Sequence, residues 1–227
     1  SREKELQYID LLYSHRVLGI VVCSHIGETM EHLDSNCPLI SFEREIAENI
    51  PAVLCDNYQG GILAANRLFD AGCRNIAIFN PPTKENIPAY SREKAFMKCC
   101  EDKKISGRVV YTDRLAPLSE EFGNNILELL KKNSDLDGIF ATSDVMAANI
   151  IRACKKMGKR VPEDISIVGF DDTWISTLTY PSITTIHQPV QEMCEYAIEA
   201  IVKKVKSEKV PSQVVFPVEL IDRESTK

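Results

Sequence analysis

Short apolar runs alternate with amphipathic stretches along most of this chain. Strand-like runs occupy residues 17–22, 39–42, 52–55, 76–79, 109–111, 139–141 and 165–170, and a last one, 214–221, is broken by Pro217. Between them the apolar positions switch to helical spacing. Residues 58–71 place Ile62, Ala65, Leu68 and Phe69 on one face and stop at Gly72, and 91–102 form a second helix. Ser119 is placed to cap a helix carrying Phe122, Ile126, Leu129 and Leu130. Ser143 or Asp144 caps the next, which carries Met146, Ile150, Ala153, Cys154 and Met157 and ends at Gly158. A final stripe runs through Val190, Met193, Cys194, Ala197, Ile198, Ile201 and Val205.

Repeated strand–helix units predict parallel sheets covered by helices. A proline inside a strand-like run is incompatible with one continuous central strand, so Pro217 reads as a passage from one sheet to another. Pro189, directly after Ile186-His187-Gln188, reads the same way. Together the two prolines suggest two lobes joined by several crossings, with a cleft between them. The run from Ile165 to Phe170 ends abruptly at Asp171-Asp172. Ligands of open parallel sheets bind beyond the carboxyl ends of the strands, which makes these acids candidate acceptors for hydroxyl groups. The plainer alternative is that both only cap a turn or the next helix.

With 227 residues the chain has room for one large or two smaller domains. Its net charge of −6 argues against nucleic-acid binding by these residues alone, since phosphate recognition needs a basic face. Eight cysteines lie mostly inside apolar patterns and form no C-x-x-C pair. They read as small hydrophobes in a reducing cytoplasm, not as a disulfide framework or zinc site. No apolar run is long enough to span a bilayer. There is no P-loop, no G-x-G-x-x-G and no G-x-S-x-G, and the histidines at 15, 25, 32 and 187 lack metal-ligand spacing. We expect no metal, no cofactor and no catalysis. His187 beside Asp171 is the one candidate base, and a satisfied or solvated histidine is the plainer reading, since no nucleophile with a recognisable context accompanies it.

Four groups of residues, taken in order, resemble one family. They are Val53 to Gly61 with Ala71-Gly72-Cys73-Arg74-Asn75; Ile139 to Asp144 with Ala147-Ala148; Val161 to Asp172 continuing to Pro181-Ser182-Ile183-Thr184-Thr185 and Gln188-Pro189; and Glu219 to Thr226. The chain is similar to the effector-binding core of LacI/GalR-family bacterial transcription regulators, from Ser1 to Thr226. The resemblance implies an α/β, periplasmic-binding-protein-like fold of two doubly wound parallel-sheet lobes with three crossovers. The N-terminal lobe would hold 1–55 and 188–216, and the C-terminal lobe 56–187 and 217–227. The family's helix-turn-helix has no counterpart in these residues, nor do the first β-α unit and the following strand of the N-terminal lobe.

Position by position, the resemblance implies effector contacts from Arg92, Asp171, Gln188, Ser143, Phe42 and Glu43, with Trp174 and Tyr90 as candidate stacking platforms. A guanidinium at 92 would donate two parallel bonds to neighbouring hydroxyls; its alternative is a salt bridge on a helix surface. Ser143 stands where the family more often has Asn, and Asp144 reads as a helix cap. Leu118 falls near an aromatic position of some members. Trp174 otherwise packs in its loop or an interface. Asp172 keeps the turn or cap role. The implied function is the sensing core of a cytoplasmic, homodimeric repressor that binds a sugar or sugar derivative between its lobes and reaches operator DNA through the helix-turn-helix. Two rivals are a sugar-binding protein for transport, which shares the fold, and an α/β enzyme using Asp171 with His187.

Overall fold

The computed structural model describes residues 2–23, 32, 37–82, 87 and 89–227; His25 lies outside them. The chain divides into two compact units, each assembled from separated stretches. The first takes in the chain up to Cys55 and the stretch Pro189–Phe216. The second takes in the chain that starts at Asp56, running on through Ala89–Gln188, and Pro217–Lys227.

The first unit opens with α1 (Arg2–Ser14), followed by β1 (Ile20–Val22), β2 (Leu39–Phe42) and β3 (Ala52–Cys55); α7 (Val190–Val205) and β9 (Gln213–Phe216) complete it. Its described strands form a parallel sheet in the order β1-β2-β3-β9. The pattern reading begins the first strand three residues too early, at Val17. Val17 instead belongs to the helix exit: its N–H bonds to Leu12, and Arg16 takes φ of 51°. The helix α1 itself carries little signal, because among its described side chains Ile9 alone is buried while Tyr8 and Leu11 face solvent.

The second unit is larger. It runs α2 (Asn57–Asp70), β4 (Asn75–Asn80), α3 (Tyr90–Lys103), β5 (Ser106–Tyr111), α4 (Glu120–Lys132), β6 (Gly138–Ala141), α5 (Asp144–Lys156), β7 (Ser166–Asp171), α6 (Trp174–Leu178), β8 (Thr184–His187) and β10 (Glu219–Ile221). Its sheet has the order β10-β8-β7-β6-β4-β5, parallel except for β10, which pairs antiparallel with β8. Pro217 therefore does separate two strands of different sheets, β9 and β10. The edge strand β5 starts earlier than its apolar residues suggest, because Ser106, Gly107 and Arg108 pair with β4 without any hydrophobic signature. The closing tail is stitched into the sheet: Ser225 is buried, donates from Oγ to the Ile167 carbonyl at 2.6 Å and accepts the Ile167 N–H at 2.7 Å.

Helix ends follow local chemistry. Asp56 caps α2 by accepting the Gln59 N–H at 2.8 Å, and Ser119 caps α4 by accepting the Phe122 N–H at 3.1 Å. The core of β4, β6 and β7 is aliphatic and aromatic, with Phe79, Phe140 and Phe170 fully buried. Cys73, Cys100 and Cys154 are buried in this unit, and burial pushes the Cys100 thiol up to about 12 and Cys154 to about 11. Among the described residues no helix is long and apolar enough to cross a membrane.

Two glycines let α2 lie close to its neighbours. A Cβ on Gly60 would come 2.7 Å from the Phe170 ring, and one on Gly61 would come 2.3 Å from the Arg92 carbonyl oxygen and 2.9 Å from Ala95 Cβ. Alanine normally favours a helix interior by about 1 kcal/mol over glycine. At position 61 a backbone clash opposes that gain, and overpacking of this kind costs roughly 1–3 kcal/mol. Gly61→Ala is therefore expected to be destabilising in urea titration; an equal or higher midpoint would show that α2 and α3 can part freely.

Candidate functional site

All the candidate side chains of the second unit lie at the carboxyl edge of its sheet or on the helices that leave it. The strand order reverses between β4 and β6, and a crevice opens at such a switch point. Asn80 ends β4 there, and Thr142 and Ser143 follow β6. Arg92, in the first turn of α3, reaches across this point.

Arg92 is buried, not a surface ion-pair residue. Its Nε donates to Asn57 Oδ1 at the start of α2, and its Nη1 donates to the Thr142 carbonyl at 3.2 Å. The guanidinium carbon stands 3.4 Å above the Phe170 ring centroid, within the range of a strong cation–π contact. Phe170 is itself held against Phe140, which stacks on Phe96. The plane of the guanidinium is thus fixed by three elements before any ligand arrives.

Asp171 closes β7 in a left-handed conformation, φ 104°, and Asp172 continues at φ 56°. Such values are costly for residues with a Cβ, and they turn the two carboxylates in different directions. Asp171 Oδ1 accepts from Gln188 Nε2 at 2.6 Å, joining the ends of β7 and β8. Asp172 turns back into the protein. It accepts from Arg223 Nη2 at 2.7 Å and Ser176 Oγ at 3.2 Å, and pairs with His187 Nδ1 at 3.0 Å. Burial raises the Asp172 carboxyl, but Arg223, His187 and Ser176 together outweigh it and hold the group below its ordinary range. Asp172 is the hub of a polar network, a larger role than the turn or cap expected of it. His187 consequently faces Asp172, while Asp171 faces Gln188.

Asp144 also departs from expectation. Ser143 is the cap of α5, its Oγ accepting the Met146 N–H at 3.2 Å. Asp144, fully buried, instead accepts from Thr173 N–H and Oγ at 2.6 and 3.0 Å and from Thr185 Oγ at 2.6 Å. Burial pushes its carboxyl pKa up despite those bonds. Gly169 makes room for it, since a Cβ there would stand 2.5 Å from Asp144 Oδ1.

Beside Arg92, the buried Glu93 accepts from Asn80 Nδ2 at 3.1 Å and from the Tyr111 hydroxyl at 3.0 Å. Burial and then the Glu93 bond raise the Tyr111 hydroxyl pKa. Thr142 Oγ donates to Asn80 Oδ1 at 3.2 Å. Asn57, Asn80, Glu93 and Tyr111 were not among the sequence candidates. Asn80 carried a usable signal: it ends Ile76-Ala77-Ile78-Phe79 just as Asp171 ends its own apolar run. Tyr90 opens α3 and is half-buried, and Trp174 opens α6 with 71% of its surface exposed. Leu118 is 85% exposed.

Phe42 and Glu43 belong to the first unit. Phe42 ends β2, and Glu43, at φ 53°, accepts the Cys55 N–H through Oε1, tying the ends of β2 and β3. Among the described residues no group of three or more His, Cys, Asp or Glu is placed to hold a metal ion.

Two helix-covered parallel sheets, with a guanidinium, carboxylates and amides gathered at the carboxyl edge of the larger, define a ligand-binding α/β module of the periplasmic-binding-protein-like class. The model of the periplasmic binding protein-like domain matches residues 65–226. The ribose operon repressor of Halalkalibacterium halodurans is 32% identical over 226 residues, covering 99% of this chain and 67% of the repressor. A periplasmic binding protein/LacI transcriptional regulator of Alkaliphilus metalliredigens, complexed with D-xylulofuranose, superposes with a TM-score of 0.87 at 33% identity, over 100% of this chain and 84% of that one. A LacI family regulator of Enterococcus faecium with bound ribose gives 0.82 at 26% identity, over 97% and 84%. The chain belongs to the LacI family of transcriptional regulators, as an effector-binding core.

The Asp172 network generates a pH dependence. A carboxylate held below its unfolded value of 3.8 stabilises the fold above that pH, and the contribution is lost as pH falls through the folded value. Asp172→Asn is expected to lower the unfolding free energy by about 1–3 kcal/mol near neutrality. The gap from the wild type should narrow below roughly pH 4. Thermal melts across this range measure it, and a gap that stays constant into strong acid would rule out the charged network as its source.

Proposed function

We propose that this chain senses a small carbohydrate, a pentose or pentose-like sugar, at the carboxyl edge of its second unit. It acts as the ligand-responsive core of a cytoplasmic, homodimeric repressor and catalyses no reaction. The observation that carries this reading is the Arg92 guanidinium, held flat on Phe170 and fixed by Asn57 and Thr142. A preset planar donor suits vicinal sugar hydroxyls, which present two oxygens at a fixed spacing. Asp171, at the end of the neighbouring strand, supplies the acceptor, and Gln188 orients it. Trp174 and Tyr90 are the aromatic groups of this unit available to an apolar sugar face, and Ser143 completes its proposed contacts. Support for a pentose comes from relatives described as a ribose operon repressor and as regulators bound to D-xylulofuranose and ribose. Operator DNA would be contacted by a helix-turn-helix outside these residues; the chain spans about two thirds of the length of the ribose repressor it matches. Exposed Leu118, Leu178 and Tyr180 offer apolar surface for self-association.

A sugar that binds the native state selectively at a hundred times its Kd adds about 2.7 kcal/mol. For a chain of this size that corresponds to a melting-point rise of roughly 5–10 °C. D-Ribose or D-xylulose is expected to produce it, against a panel of hexoses, disaccharides, phosphosugars and purines. Asp171→Asn keeps the shape and should lose most of the rise. Arg92→Lys keeps the charge without the planar fork and should do the same; Arg92→Ala is a poorer test, because it strips a buried partner from Asn57 and Thr142. A panel in which no sugar shifts the melt, or in which both variants respond as the wild type does, would refute the assignment.

A further inference from the structure

Of the eight thiols four are buried and two half-buried, and the two exposed ones are Cys23 and Cys194. Both belong to the first unit. Cys23 is one residue past the end of β1, and Cys194 lies in the first half of α7. The helix is followed by β9, which runs parallel to the other strands of that sheet, so α7 travels from the carboxyl edge back to the amino edge. At its far end Ile201 packs on β1's approach: a Cβ on Gly19 would stand 2.6 Å from Ile201 Cγ2.

That contact sets a register. From Gly19 to Cys23 is four residues of extended chain, about 13 Å, and an even step returns the side chain to the same sheet face. From Ile201 back to Cys194 is seven residues of helix, about 10 Å, and two turns return within about 20° of the same helical face. Strand and helix run in opposite senses, so both steps lead from the Gly19–Ile201 contact toward the carboxyl edge. The two steps end within about 3 Å of one another along that axis and on facing sides, and both thiols are solvent-exposed. The Cys23 thiol is raised by partial burial and then by the charge of Cys194, which puts the two sulfurs within electrostatic reach of one another.

We propose that Cys23 and Cys194 are a redox-modification site, forming an intramolecular disulfide when the protein meets hydrogen peroxide. One thiolate attacks the peroxide oxygen, giving a sulfenic acid and releasing water. The second thiol displaces the sulfenyl oxygen as a second water, so two thiols and one peroxide yield one disulfide and two waters. The bond staples the carboxyl end of β1 to α7, four residues after that helix begins. It stands apart from the sugar reading, since neither thiol belongs to the proposed contacts.

The test treats the 227-residue chain with stoichiometric hydrogen peroxide, without sugar, and maps its peptides under non-reducing conditions. The expected product is a peptide pair joined through Cys23 and Cys194, cleaved by dithiothreitol and absent from Cys23→Ser and Cys194→Ser. The oxidised wild type should melt higher than the reduced one and return on reduction, because the bond closes a long loop of the unfolded chain. Oxidation of either thiol to sulfinic acid without cross-linking would overturn the proposal. So would Cys23 joined to Cys37, or a bond between two copies of the chain.

Discussion

A guanidinium buried against an aromatic ring sets the terms for the rest of the second unit. Removing such a cation from water is expensive unless each donor finds a partner and the ring supplies its negative face. Asn57 reaches the Arg92 Nε because α2 lies close, and α2 lies close because residues 60 and 61 lack a Cβ. Thr142 and Phe170 then contribute from the ends of two neighbouring strands. Three separate stretches of sequence converge on one side chain, and the switch point of the sheet is where they can do so.

Much of this was legible beforehand, for identifiable reasons. Buried parallel strands read as apolar runs, and capped helices declare their starts, so β4, β6, β7, α2, α4 and α5 emerged close to their true limits. Pro217 announced a change of sheet because a proline cannot occupy an interior strand. What stayed hidden lacked a periodic signal. The helix α1 buries a single side chain completely, and the start of β5 is polar because it is an edge.

At the site, pattern and resemblance pointed to Arg92 and Asp171 but not to their surroundings. That Arg92 is buried follows from contacts with α2 and β7, which are distant in sequence and leave no spacing to read. Asp171 and Asp172 look equivalent as letters. Their left-handed backbone separates them, sending one carboxylate to Gln188 and the other inward to Arg223. The same reversal applies to Ser143 and Asp144, where the hydroxyl caps the helix and the acid serves Thr173 and Thr185. Adjacent polar residues at a strand end divide their work by backbone angle, which composition does not encode.

Neither unit is continuous in the chain, and that has a consequence for how the protein is made. The first unit's sheet lacks β9 until residue 216 has been synthesised, and the second lacks β10 and the buried Ser225 until after that. Until residue 216 has emerged, a ribosome moving from the amino end therefore carries a chain in which both sheets lack a strand. Completion of the two is nearly simultaneous, and until then strands already made lack their neighbours in the nascent chain. Such a chain depends on its cellular surroundings until Ser225 is in place.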